Sequence, residues 1–244
     1  MAGPLTAQMN ARAAIAPGIA ELAFTMQAPD RLAFRAGQFV SMALPASPTD
    51  EVGASVPRRS YSIASQSNAG DVLRFIIRVI PEGRASDYLM GLPIGASVTM
   101  TGPHGFFVLD AVHAGDIVFA ATGTGIAAVL PMLGELAALP PPERRPVTVF
   151  WGLRQAADIF ARAEIEALAA AAGAELAIHL SAPAPDWSGA RGRITAAVLD
   201  RLPRFVKPTF YLVGNGAMIT ELKRELISRG VNRKTQIRTE AFFD

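Results

Sequence analysis

The period of the apolar pattern changes near residues 108–115, and that change limits the possible fold more than any other feature. Before it, short runs alternate apolar and polar residues at Ile19–Met26, Gln38–Leu44, Ser60–Ala64, Leu73–Val79 and Ser97–Thr101. Alternation of period two marks half-buried strands, and Asn68-Ala69-Gly70-Asp71 and Leu92-Pro93-Ile94-Gly95 supply turns between them. Many short strands with little helix predict a small antiparallel β-barrel over residues 1–110, with an exposed loop from Pro45 to Pro57. After the change, strand and helix take turns. Strands are expected at Asp116–Ala121, Val147–Trp151, Glu175–Leu180 and Thr209–Val213. Helices are expected at Ile126–Leu139, Ile159–Ala172, Thr195–Leu202 and Met218–Arg229. This succession predicts an α/β domain over residues 111–244 with a parallel sheet covered on both faces. The expected fold is therefore two-domain.

Composition narrows the chemistry. Half of the 244 residues are apolar, enough for a large core and against intrinsic disorder. There is no cysteine, which excludes a disulfide framework, a thiol nucleophile and a thiolate-held zinc or iron–sulfur centre within the chain. Twenty-three basic against 21 acidic residues leave a net charge of +2, too little for a nucleic-acid footprint. No apolar run approaches the roughly 20 residues of a membrane helix, and Met1–Thr6 lacks the layout of a secretory signal. A cytoplasmic protein with no nucleic-acid or membrane partner is expected. His104, His113 and His179 lack metal-site spacing, so no metal is expected and they read as structural or surface residues.

Three segments carry chemistry. Gly123-Thr124-Gly125-Ile126-Ala127-Ala128 follows a strand and opens a helix, where glycines let the backbone approach a phosphate and the helix N-terminus attracts its charge. The ribose-binding acid usual about 20 residues further on is missing, and a plain turn would read the same. Arg59-Ser60-Tyr61-Ser62 lies on a strand, with Arg59 and Tyr61 on one face and Ser60 and Ser62 on the other. An arginine beside an aromatic ring suits a planar anion, although an ordinary cross-strand pair has the same signature. Ile77-Arg78-Val79 runs into a tight turn at Gly83 and a short helix, for which Ser86 reads as the cap.

Together these segments resemble the ferredoxin–NADP⁺ reductase family. Arg59–Ser62, Gly83-Arg84-Ala85-Ser86, Gly102-Pro103-His104-Gly105-Phe106-Phe107, Thr122–Ile126 and Gly214-Asn215-Gly216-Ala217-Met218 occur in that family's order. Phe34–Phe39 upstream and Glu240-Ala241-Phe242 downstream match as well, so the likeness runs from about residue 10 onward. It implies a flavin-binding barrel followed by a pyridine-nucleotide domain, with FAD as cofactor and NAD(P)H as co-substrate. For FAD it implies Arg59, Ser60, Tyr61, Ser62, Ile77, Arg78, Val79, Gly83, Ala85, Ser86, Thr122 and Phe242, the last as an aromatic over the flavin face. For NAD(P) it implies Thr122, Gly123, Gly125, Gly152, Arg154, Ser181, Arg193, Gly214 and Met218. Ser62 and Glu240 would be catalytic, near flavin N5 and beside the nicotinamide.

Two departures stand out. Val213 occupies the place of a common cysteine, and Ser181-Ala182 replaces the Ser-Arg pair that often meets a 2′-phosphate, a charge-assisted contact worth roughly 1.5–3 kcal/mol. With Asp186-Trp187-Ser188-Gly189 nearby, the chain leans to NADH, while Arg193 and Arg154 keep NADPH open. Lacking thiolates, the chain is expected to pass electrons to a separate ferredoxin, docked near Arg58, Arg59, Arg204, Lys207, Arg233 and Lys234, and a monomer is expected. Two alternatives remain: an NAD(P)H:flavin oxidoreductase using diffusible flavin, and an electron-transfer subunit of a larger complex.

Overall fold

The computed structural model describes residues 4–46, 56–110 and 115–242. Most of the Pro45–Pro57 loop, His113 and part of the expected domain boundary lie outside these residues.

The first sheet has six strands: β1 (Leu5–Ala16), β2 (Ile19–Ala28), β3 (Phe39–Ala43), β4 (Arg58–Ser62), β5 (Val72–Arg78) and β6 (Ser97–His104). Their order is β4-β3-β6-β1-β2-β5 and every pairing is antiparallel. Alternate residues of β2 turn inward, and Ala20, Leu22, Phe24 and Met26 are buried against Leu73 and Phe75 of β5 and Ala7 and Met9 of β1. The sheet curls until its edges meet, where the Ala64 amide just past β4 donates to the Arg74 carbonyl on β5 at 2.8 Å. A short helix, α1 (Arg84–Gly91), follows β5.

The second sheet contains β7 (Ile117–Thr122), β8 (Val147–Leu153), β9 (Ala174–Leu180), β10 (Ala190–Arg191), β11 (Thr209–Asn215) and β12 (Ile237–Phe242). All pairings are parallel, in the order β10-β9-β8-β7-β11-β12. Helices α2 (Ile126–Ala138), α3 (Arg162–Ala171), α4 (Ile194–Arg201) and α5 (Gly216–Ser228) cover it. Residues 117–121 of β7 are all buried, the mark of a strand covered on both faces. One face packs Phe150, Val198, Phe210 and Leu222. The other packs α2, Phe119, Trp151 and Tyr211 together with Ile19, Ala36, Ala64, Ile76 and Phe107 of the first unit, so one core is shared. No helix among the described residues is long and apolar enough to cross a membrane.

The structure corrects the sequence reading in several places, among them the two-residue strand β10, which was not expected. Strands β1 and β12 were not expected: exposed residues interrupt the alternation of β1 from Asn10 to Ala14, and β12 is a sheet edge paired only with β11. Helix α3 starts at Arg162 rather than Ile159, because Ala161 takes a left-handed φ of 44° that no helix continues through. Gly83, not Ser86, caps α1; the Ser86 hydroxyl sits inside the first turn and accepts the Ile80 amide at 2.8 Å.

Candidate active site

Strand β7 is the topological switch point of the second sheet. The chain moves from β7 outward through β8, β9 and β10, then returns to place β11 on the other side of β7. Ligands of open parallel sheets bind in the crevice at the carboxyl ends of such strands. Here that crevice is walled by Thr122 and Gly214. The Thr122 hydroxyl accepts the Asn215 amide at 2.8 Å, and the Asn215 side chain accepts the Met218 amide at 3.0 Å, capping α5. A methyl group on Gly214 would fall 2.5 Å from the Thr122 carbonyl, and one on Gly125 would fall 2.9 Å from the Val213 carbonyl. These glycines let two loops lie back to back. Gly123 and Gly216, by contrast, face open space, as a backbone surface presented to a diphosphate would.

Gly152 ends beside Thr122 in register, and a methyl there would touch Ile194 at 3.0 Å. The Ser181 amide donates to the Leu153 carbonyl, and the Ala182 amide to that of Arg154. Gly152, Arg154, Ser181 and Arg193 thus gather at the β8, β9 and α4 side of the crevice. Beyond them a recess of about 470 Å³ is lined by Gln155, Ala182, Asp186 and Trp187 among others.

The first sheet meets this crevice through β4. Tyr61 turns inward and packs edge-on against Phe75, and burial pushes its hydroxyl up to about 12, so it stays a proton donor despite the opposing pull of Arg59. Ser62, the next residue, points the other way. Its hydroxyl donates to the Glu240 carboxylate on β12 at 2.7 Å, across the seam between the two sheets. Burial pushes Glu240 up to about 7, against the smaller opposing effect of the Ser62 bond. A carboxyl titrating near neutrality in a crevice has the character of a proton donor and acceptor.

Arg59 remains exposed beside Tyr61, and among the described residues its guanidinium reaches the Arg58 carbonyl. The first turn of α1 holds Ala85 and Ser86, and such a turn presents amides without intrahelical acceptors. The guanidinium, these amides and a protonated phenol form a donor set that fits the diphosphate and ring of FAD. Ile77 is buried and the Val79 amide is spent on the Gly18 carbonyl, so any contact from this segment must come from its carbonyls or from Arg78, which is exposed. Phe242 is half-buried on β12, opposite Asn215 and packed against the shared core.

Residues 6–109 match the family described as oxidoreductase FAD-binding domain, and residues 119–224 the oxidoreductase NAD-binding domain. Ferredoxin–NADP reductase B of Sorangium cellulosum is 34% identical over 242 residues, covering 96% of both chains. The chain belongs to the ferredoxin–NADP reductase family. It is an FAD- and NAD(P)-binding oxidoreductase. The reductase component DmpP of phenol 2-monooxygenase from Pseudomonas sp. strain CF600 is 30% identical over 84% of this chain but only 56% of its own length. A ferredoxin NADP⁺ reductase structure from Neisseria gonorrhoeae, with bound FAD and NADP, superimposes over the full length of both chains with a TM-score of 0.81 at 21% identity.

Two contacts that shape the reductase's site go beyond the sequence reading, which had Asn215 only as part of the Gly214–Met218 motif and Trp151 only as a strand residue. Asn215 caps α5 and builds the loop before Met218, and Trp151 donates its indole N–H to the Gly123 carbonyl at 3.0 Å. The Asn-to-amide spacing at a helix start is a signal the sequence carries; the Trp151 contact, 28 residues away, is not. The expected docking cations do not gather at the crevice. Arg58 is folded onto Ser41 and Thr101, and Arg204, Lys207, Arg233 and Lys234 precede β11 and β12. They therefore lie a strand length, about 20 Å, from the carboxyl ends of those strands. His104 bonds Thr101 and packs on Phe39, and His179 lies buried against Phe150.

Proposed function

We propose that this reductase takes electrons from NAD(P)H by way of bound FAD and delivers them singly to a separate ferredoxin that serves an oxygenase or cytochrome. The observation that carries the reading is the Ser62–Glu240 hydrogen bond, which joins the flavin-side strand to the nucleotide sheet at one buried point. Flavin, when bound, supplies the conversion between two-electron and one-electron transfer. The chain's own residues do the rest. Arg59 and the first turn of α1 hold the FAD diphosphate, and Tyr61 packs beside the flavin. Gly123–Gly125 and Gly214–Met218 bracket the nucleotide. Glu240 orients the nicotinamide and holds a proton that it exchanges through the Ser62 hydroxyl. Phe242 shields the flavin face until nicotinamide arrives.

The names of the Sorangium and Pseudomonas relatives support an electron-accepting partner protein of the ferredoxin or oxygenase kind. Asp186 on the recess beyond Ser181 favours NADH, because its carboxylate repels a 2′-phosphate.

The test is to record the spectrum of the purified chain and then mix it anaerobically with NADH or NADPH. A bound-flavin spectrum that bleaches on mixing, faster with NADH, is expected. A colourless protein that reduces added flavin would replace this reading with a diffusible-flavin reductase.

A further inference from the structure

We propose that Glu135, on the far half of α2, is a positioning residue that sets the nucleotide loop against the flavin strand; this rests on the function proposed above. One oxygen of its carboxylate, Oε1, accepts two hydrogen bonds, from the Ala36 amide at 3.2 Å and from the Ser67 hydroxyl at 2.9 Å. Those donors flank a single structural unit. Ala36 lies three residues before β3, and Ser67 five residues after β4, and β3 and β4 are paired through Phe39 and Ser62. Among the described residues no arginine or lysine pairs with Glu135, so its recorded protein partners are these two donors. Hydrogen bonds to a carboxylate are stronger than neutral ones.

The surrounding packing leaves little room for slip. A methyl on Gly134 would fall 1.8 Å from the Gln66 side-chain oxygen, and one on Gly37 would fall 1.9 Å from the Phe107 carbonyl and 3.3 Å from the Met132 sulfur. Helix α2 therefore touches these segments through the Gln66 side chain at Gly134 and through the Met132 sulfur at Gly37. Its other end begins directly after Gly123–Gly125. Nine residues of helix, Pro131 among them, separate Ile126 from Glu135, about 14 Å. One end carries the loop that receives the nucleotide, and the other is pinned to the strand that carries Ser62. A displacement near 1 Å between reacting groups costs a hydride transfer on the order of a hundredfold. A clamp of this kind governs rate without touching either reactant.

Three variants test it: Glu135→Ala, which removes both bonds; Glu135→Gln, whose carbonyl oxygen still accepts them; and Ser67→Ala, which removes one bond and leaves α2 intact. The first readout is hydrogen–deuterium exchange of the peptide containing Ala36, with and without FAD. Faster exchange is expected in Glu135→Ala and near wild-type exchange in Glu135→Gln. The second is anaerobic flavin reduction at saturating nucleotide. A roughly tenfold lower limiting rate and a weaker long-wavelength charge-transfer band are expected in Glu135→Ala. Flavin content and the half-saturating nucleotide concentration should stay within twofold. Ser67→Ala should fall between, and a variant combining Glu135→Ala with Ser67→Ala should be no slower than Glu135→Ala alone. Limiting rates within twofold of wild type in Glu135→Ala and Ser67→Ala, with flavin bound, would overturn the role of Glu135 alone. A wild type reduced by neither nucleotide would overturn the proposed function and this inference with it.

Discussion

Glu240 sits in the seam between the sheets with the Ser62 hydroxyl as its hydrogen-bond donor, so burial raises its carboxyl above the ordinary glutamate range to about 7. Between the ordinary value of 4.5 and about 7 the folded chain holds a proton that the unfolded chain has released. Stability must then fall as pH rises through that window, by on the order of 3 kcal/mol from this group. Glu240→Gln keeps an acceptor for Ser62 and removes the titration. Urea denaturation at pH 5 and pH 8 should therefore show a smaller loss in the variant than in wild type. Ser62→Ala takes away the one interaction that lowers the Glu240 value, so the apparent pKa seen in flavin reduction should move upward. A second residue-scale strain lies at Glu82, whose φ of 58° is left-handed. Glu82→Gly should stabilise the fold by about 1 kcal/mol in thermal denaturation and leave flavin content unchanged. Ser62 and Glu240 were each legible as motif residues. Their meeting was not, because no local pattern relates side chains 178 positions apart.

At the scale of elements, Arg74 on β5 ties the barrel to the nucleotide domain. Its guanidinium grips both oxygens of Glu164, just inside α3, and also reaches Glu21 on β2. Both glutamates hold the arginine charged, and its side chain is only 28% exposed, so this pair is worth more than a surface bridge. Arg74→Met should cost about 2 kcal/mol in denaturant unfolding, since it leaves two half-buried carboxylates facing each other. Adding Glu164→Leu should recover part of that loss. The elements readable from sequence were those stabilised by burial: β2, β5 and β7 alternate or run apolar because a core faces them. Those missed are held mainly by backbone bonds to one neighbour. The exposed half of β1 pairs with β2, and β12 lies against β11 at the sheet edge. Ser86 was misread because a serine within a first turn has the same local sequence as a cap; only the Gly83 backbone decides the start of α1.

At the scale of the molecule, each sheet keeps an interior of its own, and a third cluster is shared between them. Ile19, Ala36, Ala64, Ile76 and Phe107 come from the barrel side yet pack with α2, β7 and Trp151. Unfolding should therefore be one cooperative event. Far-ultraviolet circular dichroism, which reports mainly both sheets and helices, should give the same midpoint as the fluorescence of a Trp187→Phe variant, which senses Trp151 in the shared core. Two separated midpoints would contradict a common core. Residues 1–110 expressed alone should be unstable, because Phe107 and Ile76 would lose their partners to water. The two-part plan was legible in the change of period near residue 110, whereas the shared interior was not, since apolar residues do not announce which neighbour they bury against.

That common interior bears on how such chains are inherited and rebuilt. A crossover between relatives placed at the apparent joint would exchange one half and keep the other half's five contact residues, so the hybrid would begin with a mismatched floor beneath α2. Successful shuffling would have to move Ile19, Ala36, Ala64, Ile76 and Phe107 along with residues they do not neighbour in the chain. The heritable module is the boundary surface itself, and an engineer grafting a new nucleotide half onto this barrel would begin by transplanting those five positions.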